Sequence, residues 1–272
     1  MVCLSLFVPA MPSELTAVLV RSAAVITVMM TLVWGLSLWR RDVSIVDIAW
    51  GMGFVLIAWS AFLWGADKSA QRWLLPLMVT VWGVRLSGYL FWRNHGKPED
   101  YRYRSMREHW GGAFPIASLV IVFGLQGVVM WVVALPLQVG IASADQQIVW
   151  LALAGLIVWG TGLSFEAVGD WQLAHFRSVA ENQGRLLDAG LWRYTRHPNY
   201  FGDFLVWWGF YLVAVAQSGA WWTVIGPLAM SVFLMKVSGV TLLEKKLSST
   251  KPGYQEYVAR TNAFFPGLPQ RK

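Results

Sequence analysis

Seven long apolar runs divide the 272-residue chain, near residues 15–39, 43–64, 73–93, 113–137, 147–168, 200–217 and 220–243. Each approaches the ~20 helical residues needed to cross a hydrocarbon layer ~30 Å thick. None alternates apolar and polar positions as the strands of a membrane barrel do. Only helices and closed barrels satisfy the backbone in lipid, so the runs predict helices. The expected fold class is all-α: a polytopic integral membrane protein with seven transmembrane helices. One domain is expected over residues 1–272, with no internal repeat, low-complexity tract or linker. Two longer polar segments interrupt the pattern, at 94–112 and 169–199.

The charges sort by side. Of the 22 Lys and Arg, 17 fall at or after the ends of the odd-numbered runs: Arg40, Arg41, Arg93, Lys97, Arg102, Arg104, Arg107, Arg177, Arg185, Arg193, Arg196, Lys245, Lys246, Lys251, Arg260, Arg271 and Lys272. The opposite side holds only Lys68 and Arg72. Such a bias puts the C-terminus in the cytoplasm and the N-terminus outside. It also accounts for the net charge of +7 without a nucleic-acid partner. Only 14% of residues are charged, well under the ~25% of soluble domains. The one cysteine, Cys3, excludes an intrachain disulfide framework, and the first residues lack the features of a cleaved secretory signal. No metal site is expected. All four histidines lie on or near the cytoplasmic side, so chemistry is expected there.

Ionisable groups inside apolar runs cost ~2.5–3.5 kcal/mol or more and mark candidate function. Asp47 lies about a turn inside the second run, in "VSIVDIAWG". Arg85 and Tyr89, Glu166 and Asp170, and Asn199 and Asp203 each stand four residues apart, on one helix face. An alternative places Arg85 on Asp47 as a structural bridge. Arg21 is read as snorkelling to the outer surface, and the arginines of 93–107 as attracted by anionic lipid. In "TRHPNYFGD", Pro198 starts a helix, whose free N–H groups favour anions. Arg193, Arg196 and His197 sit just outside it, which suits a phosphorylated or carboxylated cofactor or, alternatively, the lipid surface.

The stretches "GLWRYTRHPNYFGD", "GYQEYVARTNAFFPGLP", "SIVDIAWG", "WGVRLSGYLFWRNHGKPEDYRY" and "EAVGDWQLAHFR" resemble the membrane steroid 5-alpha reductase family, especially its bacterial branch. The resemblance covers most of the chain after residue 43. It implies a bacterial inner-membrane protein in which residues 1–112 enclose a lipophilic steroid and 113–272 hold NADPH. It also implies reduction of the carbon–carbon double bond of a 3-oxo-Δ4-steroid. Carried over by position, the cofactor contacts are Arg85, Lys97, Glu166, Asp170, Arg177, Tyr194, Asn199 and Asp203, joined by Arg196 and His197 of the helix start. Asp47 matches the carboxylate that meets the steroid carbonyl. Trp82 stands where the animal enzymes carry a catalytic Tyr, which leaves Tyr89 as the fallback proton donor.

An enone accepts hydride only when its carbonyl oxygen is polarised, and a protonated carboxyl or a Tyr hydroxyl can do this. No G-x-G-x-x-G follows a strand, so NADPH would depend on the helical basic site. Two other readings remain. A membrane methyltransferase using S-adenosylmethionine shares the Arg-His-Pro-x-Tyr helix start and an acid after the last span, here Glu244. A non-enzymatic sterol binder would need the apolar pocket but not the arginines.

Overall fold

The structure is a computed structural model and describes residues 13–65, 70–143, 148–237, 240, 244, 248 and 251–269. Cys3, Lys68, Lys245, Lys246, Arg271 and Lys272 lie outside the described residues. No strand occurs among the described residues. The chain forms two compact units, Met1–Asp145 and Gln146–Lys272.

The first unit contains α1 (Ser13–Arg40), α2 (Ile45–Trp64), α3 (Leu74–Asn94), α4 (Tyr101–Trp110), α5 (Phe114–Ser118), α6 (Leu125–Val133) and α7 (Leu135–Ala142). Val20, Val28, Leu32 and Leu36 of α1 are exposed, as lipid-facing residues are. α2 and α3 meet through glycine. A Cβ on Gly51 would lie 2.5 Å from the carbonyl oxygen of Gly83, and one on Gly83 would lie 2.6 Å from that of Gly51. Such contact lets two backbones approach closely, which is how helices associate where lipid removes the hydrophobic drive.

The fourth apolar run is not one regular helix. A wider π turn over Leu119–Gly124 joins α5 to α6, and the chain breaks again at Ala134, just before Pro136. The fully buried Gln138 repairs this break. Its Nε2 donates to the carbonyl of Trp131 at 2.8 Å, while its Oε1 accepts from Ser22 at 2.9 Å. At the other end of α2, Arg72 is buried and donates to Phe62 at 2.6 Å and to Ile141 at 3.1 Å. It thereby satisfies final carbonyls of two helices.

The second unit contains α8 (Val149–Ser178), α9 (Pro198–Ser218), α10 (Ile225–Val232) and α11 (Tyr254–Arg260). Its seam is a glycine ladder. Gly155, Gly162 and Gly169 on α8 repeat every seven residues, as do Gly202 and Gly209 on α9. A Cβ on Gly202 would lie 2.5 Å from the Glu166 amide nitrogen and 2.6 Å from the Gly162 oxygen. The seven-residue period keeps one stripe of each helix on its partner. α8 runs ten residues beyond the expected end of the fifth span, because no Pro interrupts "EAVGDWQLAHFRS" and its Gly169 continues the stripe packed on α9. Likewise part of the expected polar loop 94–112 is helix: Asp100 caps α4 by accepting from the amide of Arg102 at 2.9 Å.

Among the described residues, five helical stretches are long and apolar enough to cross a membrane: Glu14–Arg40, Ile45–Trp64, Ala70–Asn94, Tyr101–Val133 and Val149–Ser178. α9 has 21 residues, but Asp203, Trp207, Trp208 and Tyr211 thin its hydropathy. Trp221–Lys236 is a shorter apolar helix.

The glycine seam is directly testable. Gly202→Val should cost at least ~1–3 kcal/mol, since backbone atoms cannot yield as side chains do. Gly88→Ala, whose Cβ would meet nothing within 4 Å, should stay within ~0.5 kcal/mol of the parent. Thermal unfolding in one detergent compares the two, and equal midpoints would refute the seam.

Candidate functional site

Two polar clusters hold the residues singled out above, one in each unit. In the first unit, Asp47 sits in the first turn of α2. Among the described residues its carboxylate is met by α4: Tyr103 donates to Oδ1 at 2.8 Å and Arg102 to Oδ2 at 3.0 Å. The helix cap places both donors. Asp100 holds the Arg102 Nε at 2.9 Å, and the Asp100 amide donates to Ser44 Oγ at 2.7 Å. Gln126 of α6 donates to the Tyr103 hydroxyl at 3.2 Å.

One residue before the cap, Glu99 completes the clasp. It takes Arg107 at 2.8 and 3.1 Å and the Val43 amide at 2.8 Å. Burial would raise the Glu99 carboxyl, but Arg107, the Val43 amide and Arg104 outweigh it and hold it below its ordinary value. Arg107 also lies over the Phe114 ring, 4.6 Å from its centre.

The alternative bridge from Arg85 to Asp47 gives way to Arg102 and Tyr103. The signal was present in "EDYRY": an acid that can cap, then Arg and Tyr in the first turn of the helix it starts. Arg85 and Tyr89 are half-buried one turn apart on α3. The Tyr89 ring lies 6.0 Å from that of Trp92 and 5.8 Å beneath Arg93. Lys97 is exposed in the segment after α3. Trp82 is fully buried, with its ring 5.8 Å from that of Phe54.

In the second unit the glycine ladder brings four candidates together. Glu166 (3% exposed) and Asp170 (5%) are buried one turn apart on α8, and Asn199 and Asp203 occupy the first turns of α9. Asn199 donates to Asp170 at 3.1 Å. Arg177 and Arg193 are exposed near the ends of this polar stretch, and Tyr194 is 41% exposed. The chemistry is mixed: buried carboxylates that accept from hydroxyl or amide groups, and exposed guanidinium groups that suit phosphate.

Arg196 and His197 belong to a different network. Arg196 donates to Glu244 Oε1 through Nε at 2.8 Å and through Nη2 at 2.7 Å, and also to the carbonyls of Val258 and Thr261. His197, 1% exposed, places Nε2 3.2 Å from Glu244 and stacks on Tyr200 with ring centres 5.6 Å apart. The terminal segment is tied to the same loop. Tyr257 donates to the Trp192 carbonyl, the Arg196 amide to Asn262 at 2.9 Å, and the Gly267 amide to Tyr194 at 3.0 Å. Burial would raise the Glu244 carboxyl, but the hydrogen bonds from His197 and Arg196 keep it below its ordinary range. Burial and the Glu244 charge push the Tyr254 hydroxyl up to about 12. Sequence reasoning used Glu244 only for the methyltransferase alternative and did not link it to Arg196, 48 residues earlier.

A helical chain with five apolar helices able to cross a membrane, and with polar side chains paired from helix to helix, is a multi-pass membrane protein. The chain belongs to the family described as "Protein of unknown function (DUF1295)", whose profile matches residues 33–261. That family lies within the steroid 5-alpha reductase-like superfamily. The matched residues include both polar clusters. The chain is similar to an uncharacterized protein of Schizosaccharomyces pombe, with 26% identity over 268 aligned residues, 86% of this chain and 76% of the relative. No solved structure matches it.

The Glu244 network has a pH signature. A carboxyl held below its ordinary value of 4.5 stabilises the fold above that value and loses this contribution as pH falls through the lower folded value. Glu244→Gln should therefore lower the melting temperature at pH 7, at a cost of ~1–3 kcal/mol, with the difference from the parent shrinking below about pH 4.5. A difference that persists unchanged at pH 3 would show that the charge of Glu244 is not what stabilises the tail.

Proposed function

We propose that this protein reduces the carbon–carbon double bond of a 3-oxo-Δ4-steroid or a similar lipophilic enone with NADPH. In this reading it crosses a bacterial inner membrane seven times, with α9 and the Trp221–Lys236 helix as further spans. The C-terminus and cofactor side face the cytoplasm, as the Lys and Arg bias favours. Membership in a steroid-reductase-like family covers residues 33–261. The observation that carries the reading is the buried Glu166–Asp170–Asn199 cluster flanked by exposed Arg177 and Arg193.

These residues suit a phosphorylated dinucleotide. Glu166, Asp170 and Asp203 accept from ribose hydroxyls or a carboxamide, and Arg177 and Arg193 take phosphates. Tyr194 is a further expected contact, on the loop that Arg196 and His197 hold. Bound NADPH supplies a hydride. The chain's own task is to exclude water and polarise the substrate carbonyl, for which Asp47 and Tyr89 are the candidates. One well-placed donor to a developing oxyanion contributes ~3–4 kcal/mol.

The second reading, a methyltransferase using S-adenosylmethionine, draws on one contact: Glu244 is bound by Arg196 and His197 of the Arg-His-Pro helix start. Purified protein separates the two. NADPH oxidation that depends on an added 3-oxo-Δ4-steroid supports the reductase. Binding of S-adenosylmethionine with no effect of NADPH overturns it. Asn199→Ala should raise the KM for NADPH at least ~10-fold while leaving that for steroid nearly unchanged, as loss of a cofactor contact requires. Unchanged NADPH affinity in a titration would remove Asn199 from the site. NADPH should also outcompete NADH, through basic partners for the 2′-phosphate.

A further inference from the structure

We infer that Tyr103 is the hydroxyl that positions Asp47 for reaction, whereas the sequence offered Tyr89 as a proton donor. The inference rests on the reductase reading. Tyr103 is 4% exposed and donates to Asp47 Oδ1 at 2.8 Å, and its own oxygen accepts from Gln126 at 3.2 Å. The other carboxylate oxygen is taken by Arg102, which Asp100 holds in turn at 2.9 Å. Each Asp47 oxygen therefore has one fixed protein partner, which blocks rotation of the carboxyl about its terminal bond. The proton that Asp47 must carry to donate to the substrate carbonyl then keeps a set direction.

That direction matters because a group meeting a developing oxyanion has to be held within ~0.5 Å of its productive place. A packing role alone needs none of these polar atoms. Phe at 103 and Leu at 126 would fill similar volume, and replacing both partners of a buried hydrogen bond by apolar groups is often nearly neutral. Tyr89, in contrast, has its ring against Trp92 and beneath Arg93, a turn further along its own helix. Trp82 is fully buried against Phe54. Tyr103 is thus the hydroxyl tied to Asp47, and it comes from the helix that the polar segment 94–112 conceals. It acts through Asp47 and is a positioning residue.

The test uses the full chain in detergent or nanodiscs, with NADPH and a 3-oxo-Δ4-steroid. Tyr103→Phe should lower kcat by about 10- to 100-fold, approaching the ~100-fold or greater loss expected for Asp47→Ala. Its KM for NADPH should stay within about twofold and its melting temperature within a few degrees. Gln126→Leu should lower kcat several-fold in the same pattern, and serves if the first variant does not fold. Tyr211→Phe, whose hydroxyl bonds the Trp221 carbonyl 3.1 Å away in the other unit, is the control. A Tyr103→Phe enzyme with parental kcat overturns the inference and leaves the reductase reading intact. A loss of kcat matched by losses of NADPH affinity or thermal stability makes the hydroxyl structural and also overturns it. If the parent oxidises no NADPH with any such enone, both fall together.

Discussion

A helix in lipid satisfies its own backbone, and its Ser and Thr can bond a carbonyl one turn back, as Thr27 and Thr161 do, but a larger polar side chain needs a partner on another element. The structure is organised by that constraint. Gln138 has Ser22 of α1 and the carbonyl of Trp131, and Arg72 closes the ends of α2 and α7. Asp47 has Arg102 and Tyr103 of α4. An unmatched member of any of these groups would cost several kcal/mol in an apolar surround. The pairings therefore select which helices may be neighbours as strongly as apolar packing does.

Glycine makes such pairings possible. Short side chains such as Asp and Asn reach across a helix pair only when the backbones come close. The seven-residue ladder of α8 and α9 brings them close, and Asn199 then meets Asp170. In the first unit Gly51 and Gly83 do the same for α2 and α3, one turn along from Asp47. The same sequence feature that packs the helices thus sets the spacing of the chemistry.

The two units spend their charges differently. In the second, Arg196 and His197 are buried on Glu244 and fasten the loop to the terminal segment, while Arg177 and Arg193 are exposed. In the first, Arg102 and Arg107 are tied to Asp47 and Glu99. A basic run read along the chain is therefore a mixture of buried structural clamps and exposed cations. Tertiary partners sort one from the other.

The helical class, the multi-pass character and the boundaries of α1, α2, α3 and α9 were legible in the sequence to within two residues, because they depend on local hydropathy and on Pro198 as a helix start. The i, i+4 pairs Glu166–Asp170 and Asn199–Asp203 were legible too, since the helical period alone puts them on one face. The break in the fourth run was less so, because Pro136 alone does not show that the Gln138 side chain will take the Trp131 carbonyl beside it. The partners of Asp47 and Glu244 were not legible at all. They are contributed by residues 55 and 48 positions away, and local periodicity carries no information about which elements meet. Sequence by itself determined the helices, the polar residues and the faces they occupy. Only the tertiary structure decided that Asp47 faces Tyr103 and Arg102, and that Arg196 turns inward to Glu244, because those choices follow from where the backbones can approach and which buried groups must be paired.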